Sequence, residues 1–200
     1  MTNFECDEKE VFGQVFCEVS FTQKKISGKE YDRCHFQSCD LSYATFFNCE
    51  FTECKFTDCD LSVLNVGNSK FLDVEFFDCK VIGVNWAKAY WRGLTIGVPL
   101  KFKRCMINSS SFYGLNLAKI IIENCRAHDV DFREANFSRA SFSCTDLTNS
   151  IFHNTNLAGA NFNEAKNYDI NVKNNLIKNA KFCRFEAVRL LESLDINLIN

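Results

Sequence analysis

The sequence predicts an all-β fold, a four-sided solenoid finished by a C-terminal helix. Three observations carry that reading. A large apolar residue recurs at every fifth position, a small residue sits two places before many of these, and the last stretch alone changes to helical spacing. Counting in fives from Phe16 to Ile96 gives seventeen apolar residues in succession, among them Phe36, Phe56, Phe76 and Trp91. In a chain that is 46% apolar, chance would give this about once in a few hundred thousand trials. After a slip of one position the series resumes at Phe102 and runs through thirteen more centres to Phe162.

The small position holds Cys34, Cys39, Ala44, Cys49, Cys54, Cys59, Cys79, Cys105, Cys125, Ala135, Ala140 and Ala160, which accounts for eight of the twelve cysteines. Neither the 3.6-residue period of a helix nor the two-residue alternation of a strand fits such a pattern. A chain that turns a corner every five residues does fit it, and four sides then close a coil of twenty. Large centres fill the interior, small residues let backbones approach, and the Asp, Asn, Ser and Thr between them suit turns and solvent. Coils stacked at the parallel-strand spacing of roughly 4.8 Å give a rod on the order of 35 Å long.

The elements follow in chain order. Residues 1–15 read as an N-terminal cap and 16–96 as a first solenoid block. Residues 97–101 are a register joint in which one extra residue bulges out. Gly97 and Pro99 suit such a bend, and the neighbouring Lys101, Lys103 and Arg104 leave a binding loop as the second reading. Residues 102–165 form a second block, and 166–200 a C-terminal cap. Within that cap, Phe185, Val188, Leu191 and Leu194 recur at helical spacing, followed by Ile196, Leu198 and Ile199. Capping needs some of this apolar surface, because an open last coil exposes core and unpaired edges. The remainder suits a homodimer joined end to end about a two-fold axis.

Catalysis finds no support in these residues. The cysteines lack a C-x-x-C pair and point from successive sides toward the axis, so they cannot converge on a metal. They read as small buried hydrophobes. His35, His128 and His153 are spread along the outside, and no Gly-rich loop is present to hold a phosphate-bearing cofactor. No cofactor, metal or enzymatic role is expected. The acidic start of the chain has no export signal, and no run is apolar enough to span a membrane, so a cytoplasmic location is expected.

Motifs such as CDLSYATFFNCEFTECKFTDCDLS and ANFSRASFSCTDLTNS resemble the pentapeptide-repeat proteins over roughly residues 11–165. The resemblance implies a right-handed quadrilateral β-helix. The C-terminal run NYDINVKNNLIKNAKFCRFEAVRLLESLDINLIN and CKVIGVNWA are similar to the quinolone-resistance and microcin-immunity members. That similarity implies a dimeric rod interacting with DNA gyrase or topoisomerase IV, and mimicry of duplex DNA in width and charge.

Net charge bears on mimicry. Residues 1–100 carry fifteen acidic and ten basic side chains, and residues 101–200 carry ten and thirteen, giving −5 and +3. Direct nucleic-acid binding is not expected of such a chain. Twenty-residue spacing sets Glu50 against Lys70, Lys55 against Glu75 and Asp60 against Lys80. It also gathers Glu18, Asp58 and Asp78 on one side, with Glu53 and Asp73 on the next. Like charges one coil apart gain nothing for folding, which makes these five a candidate recognition stripe or a solvated face. Two functions stand: a partner of a type II topoisomerase, or a scaffold solenoid for some other protein.

Overall fold

In the computed structural model, residues 9–91, 98, 100–194 and 196 are described. The chain winds as a right-handed, four-sided parallel β-solenoid of about 8 turns with a single short C-terminal helix. Each side is a strand of two to four residues or a bridge of one, paired in parallel with its equivalent in the next coil. In the N-terminal half the offset is twenty, as in Phe16↔Phe36, Phe36↔Phe56 and Tyr31↔Phe51.

The corners share one conformation except after Trp86, where residues Trp86–Lys88 form a 3-10 turn. Residues two places after the centres, from Gly13 and Glu18 to Asp78 and on to Glu164, have φ of 50–70°. This is the left-handed region that Gly, Asn and Asp enter at least cost. On many sides the corner is also a hydrogen-bonded turn, such as Ala44 N–H to Leu41 C=O at 3.2 Å with Tyr43 at φ 57°. A positive φ at the third turn residue is the type II arrangement.

The centres form one continuous core. Phe16, Phe36, Phe56, Phe76 and Phe102 stack with ring centroids 4.5–5.0 Å apart. Tyr31, Phe51 and Phe71 stack at 5.0 and 5.2 Å, whereas Trp91 tilts away at 6.5 Å and is half-buried. Trp86, Phe112, Phe132 and Phe152 form the third ladder.

Cysteine at the small position does more than save space. Cys39 Sγ donates to the carbonyls of Phe16 and Gln37 at 3.4 and 3.3 Å, and the next thiol, Cys59, accepts the Cys39 N–H at 3.4 Å. Serine and threonine do the same elsewhere. Thr145 Oγ1 accepts from Cys125 N–H at 3.2 Å and donates to Ile122 C=O at 2.8 Å, and Ser69 bridges Cys49 and Phe46. These hydroxyls and thiols satisfy corner backbone groups that would otherwise be buried without a partner.

The joint differs from the expected bulge. Phe76 pairs with Phe102, Lys80 with Met106 and Asn85 with Ser111, all at an offset of 26. Six residues are therefore added to one coil, not one. A five-residue period fixes phase only modulo five, so one and six leave the same trace in sequence. Ile96, Gly97 and Pro99 lie outside the described residues.

Pairing also continues past residue 165. Phe152 meets Ile170 at an offset of eighteen, and Phe162 meets Phe182 at twenty, with Tyr168 and Ile170 buried between. The two-residue shortening breaks the count of five without ending the coil. The helix that follows is shorter than its apolar pattern: a 3-10 turn at Glu186–Val188 and α1 at Arg189–Glu192.

Candidate functional site

The five acids of the predicted stripe do lie along the N-terminal half, but most are engaged. Arg33 Nε lies 3.2 Å from Glu53, Lys101 Nζ 2.6 Å from Asp73, and Ser38 donates to Asp58 at 3.1 Å. Arg104 makes a two-pronged contact to Asp78 at 2.8 and 2.6 Å while its guanidinium lies 3.9 Å from the centre of the Phe77 ring. That hydrogen-bonded guanidinium holds the Asp78 carboxyl below its ordinary pKa. All five occupy left-handed corners, so the backbone supplies a reason for Asp58, Asp73 and Asp78 that twenty-residue spacing alone does not reveal.

The basic cluster beside the joint is thereby explained. Lys101, Lys103 and Arg104 meet Asp73, Glu75 and Asp78 across the 26-residue coil. They form a clamp at the base of the insertion. Glu75 sits in register with Lys55, as expected, yet its ion pair is with Lys103 at 3.2 Å. The Glu50–Lys70 and Asp60–Lys80 ladders are present at 2.9 and 3.4 Å.

A second acidic column stands beside the stripe. Glu10, Glu30 and Glu50 are paired in register on the Tyr31 side, and with Asp32 they line a shallow cleft of about 280 Å³. Lys9 reaches Glu30 at 2.6 Å. The same spacing of twenty that gathered Glu53 and Asp73 marks this column in the sequence.

At the other end, the four helical apolar residues face outward. Phe185 is 87% exposed and Val188 47%, with Leu191, Leu194 and Ile196 also exposed; Leu198 and Ile199 lie outside the described residues. The cap is made by other residues: Leu190 packs on the core, Glu186 accepts from Asn167 N–H at 3.2 Å, and Ser193 Oγ accepts from Val172 N–H at 3.3 Å. Among the described residues, the predicted interface side chains Phe185, Val188, Leu191, Leu194 and Ile196 thus remain at least partly exposed.

No general base emerges from the histidines. His128 Nε2 lies 3.0 Å from Asp146, but Arg126 donates to Nδ1 at 3.2 Å, which occupies the remaining ring nitrogen. Neighbouring thiols and burial push Cys79 and Cys105 up to about 12, which disfavours the thiolate at these two positions. Among the described residues, no three His, Cys, Asp or Glu side chains gather to hold a metal, and no helix is long and apolar enough to cross a membrane.

Pentads with an inward centre, an inward small residue two places earlier and a left-handed corner define a pentapeptide-repeat solenoid. The chain belongs to the pentapeptide repeat family: residues 29–98 match the pentapeptide repeat region, and 110–143 and 131–166 match pentapeptide repeats of eight copies. It is 33% identical over 139 residues to the pentapeptide repeat protein QnrB4 of Escherichia coli, an alignment covering 70% of this chain and 58% of QnrB4. Two structures of QnrB1, a plasmid-mediated fluoroquinolone resistance protein, share the fold. A trypsin-treated variant has a TM-score of 0.65 at 18% identity, covering 92% of this chain and 100% of that one. The full-length protein has 0.53 at 19%, covering 94% and 100%.

Proposed function

We propose that this chain is a non-catalytic rod that binds a bacterial type II topoisomerase, DNA gyrase or topoisomerase IV, and modulates or protects it against a quinolone or a toxin. The observation that carries this reading is the likeness to QnrB4, which covers most of the solenoid. The acidic N-terminal half supports partial mimicry of duplex DNA, because a site built to receive phosphates attracts a narrow, negatively charged rod. Glu30, Glu50, Glu53, Asp58, Asp73 and Asp78 supply that charge, and Glu10 and Glu18 extend it toward the N-terminus.

The working form is a homodimer. Phe185, Val188, Leu191, Leu194 and Ile196 present an exposed apolar surface at one end, and an isologous end-to-end contact buries it twice over. Surface-immobilised gyrase titrated with the chain tests the reading. Binding is expected, and reversal of Glu53, Asp58, Asp73 and Asp78 to lysine should abolish it. Binding unaffected by the reversal would remove mimicry and favour the scaffold reading, to which the pairing of Asp73 and Asp78 with cations already lends weight.

A further inference from the structure

One edge of the C-terminal half carries charge of the opposite sign. The four successive stretches 116–121, 136–141, 156–161 and 176–181 stack on the same side, joined by the bridges Asn116↔Asn136, Asn136↔Asn156, Ser141↔Asn161 and the pair Asn161↔Lys181. They contain Lys119, Arg139, Lys178 and Lys181 and not one aspartate or glutamate. All four cations are exposed. In the N-terminal half and at the joint, Arg33, Lys70, Lys80, Lys101, Lys103 and Arg104 each meet a carboxylate. Within the described residues, these four meet none.

Folding does not account for the arrangement. Lys119 and Arg139 occupy left-handed corners at φ 67° and 59°, which suit Gly, Asn or Asp better. They stand on adjacent coils, where like charges repel. Between the cations the side chains are small: Ala118, Ser138 and Ala158. At Gly159 an added Cβ would lie 3.4 Å from Cγ of Arg139, so the arginine stem rests over the glycine.

We propose that this edge binds a short acidic protein segment. Three coil steps of roughly 4.8 Å make the strip about 15 Å long, the reach of about five extended residues. Length also argues against a nucleic-acid duplex. A duplex laid along the rod would continue onto the same side of the N-terminal half, where Glu30, Glu50, Glu53 and Asp73 stand. A short acidic peptide ends before reaching them. The inference is independent of the topoisomerase reading, since it rests on the opposite end and the opposite charge.

Fluorescence anisotropy with fluorescein-labelled hexaglutamate, titrated with the whole chain, tests it. Binding is expected to weaken with added salt, and Lys119→Gln with Arg139→Gln should weaken it about tenfold. Lys24→Gln with Lys25→Gln, on another side of the rod, should leave it unchanged, and far-UV circular dichroism should show both variants folded. A short DNA duplex should bind more weakly than the peptide. The proposal is overturned by absence of peptide binding, by equal losses in the two variants, or by tighter capture of the duplex through Lys119 and Arg139.

Discussion

Thr145 shows what the position two before a centre contributes. Its hydroxyl joins the Cys125 N–H to the Ile122 carbonyl inside the wall, so Thr145→Val keeps the shape and strands two buried backbone groups. A loss of about 1–3 kcal/mol is expected in chemical denaturation. Phe56→Ala opens a cavity in the aromatic ladder and should cost about 3–5 kcal/mol, whereas Tyr43→Ala, at a 58% exposed corner, should cost far less. Asp146 gives the fold a dependence on acid. Burial works to raise its pKa, but hydrogen bonds from Thr148, Asn167 and His128 outweigh this and hold the carboxyl well below the usual range. Its contribution is complete above the unfolded-state value near 4 and declines as pH falls below it. Acid titration of the unfolding midpoint should therefore be shallower for Asp146→Asn. The inside and outside of nearly every pentad were legible as size and polarity. The hydrogen bonds of Cys39 or Thr145 were not, because their acceptors lie twenty-three residues back and depend on how the coils are aligned.

Among the elements, the joint and the C-terminal cap show where a period of five stops being informative. The phase change before Phe102 was visible in the sequence, but its size was not. Only the pairing of Phe76 with Phe102 reveals six added residues and brings Lys101, Lys103 and Arg104 onto the acids of the coil before. These pairs are exposed, so replacing Asp73 and Asp78 by asparagine, which keeps a residue suited to the left-handed corner, should lower stability slightly at low ionic strength and not at all in high salt. The cap obscured itself differently. Removal of two residues between Phe152 and Ile170 ends the count although the coil persists. The apolar residues at helical spacing are helical only in part, and the ones that close the coil are Glu186, Leu190 and Ser193, two of which carry polar side chains.

At the scale of the whole molecule, the described residues form a rod with two unlike halves and an exposed apolar C-terminal end. If that end joins two copies, Phe185→Asp with Leu191→Asp should convert a dimer to a monomer in multi-angle light scattering without loss of the β-sheet circular dichroism signal, since neither residue is buried in the monomer. A monomeric parent chain would remove the interface. The acidic halves would then stand at the far ends of the dimer and the basic edges near its middle. A rod built this way presents a partner with charge that changes sign along its length. The most direct measurement of the functional account is DNA supercoiling by purified gyrase in the presence of an inhibitory fluoroquinolone, with the chain added at increasing concentration. Recovery of supercoiling, lost when Glu53, Asp58, Asp73 and Asp78 are reversed in charge, is the expected result. Supercoiling unchanged at micromolar chain, with and without the drug, would contradict it.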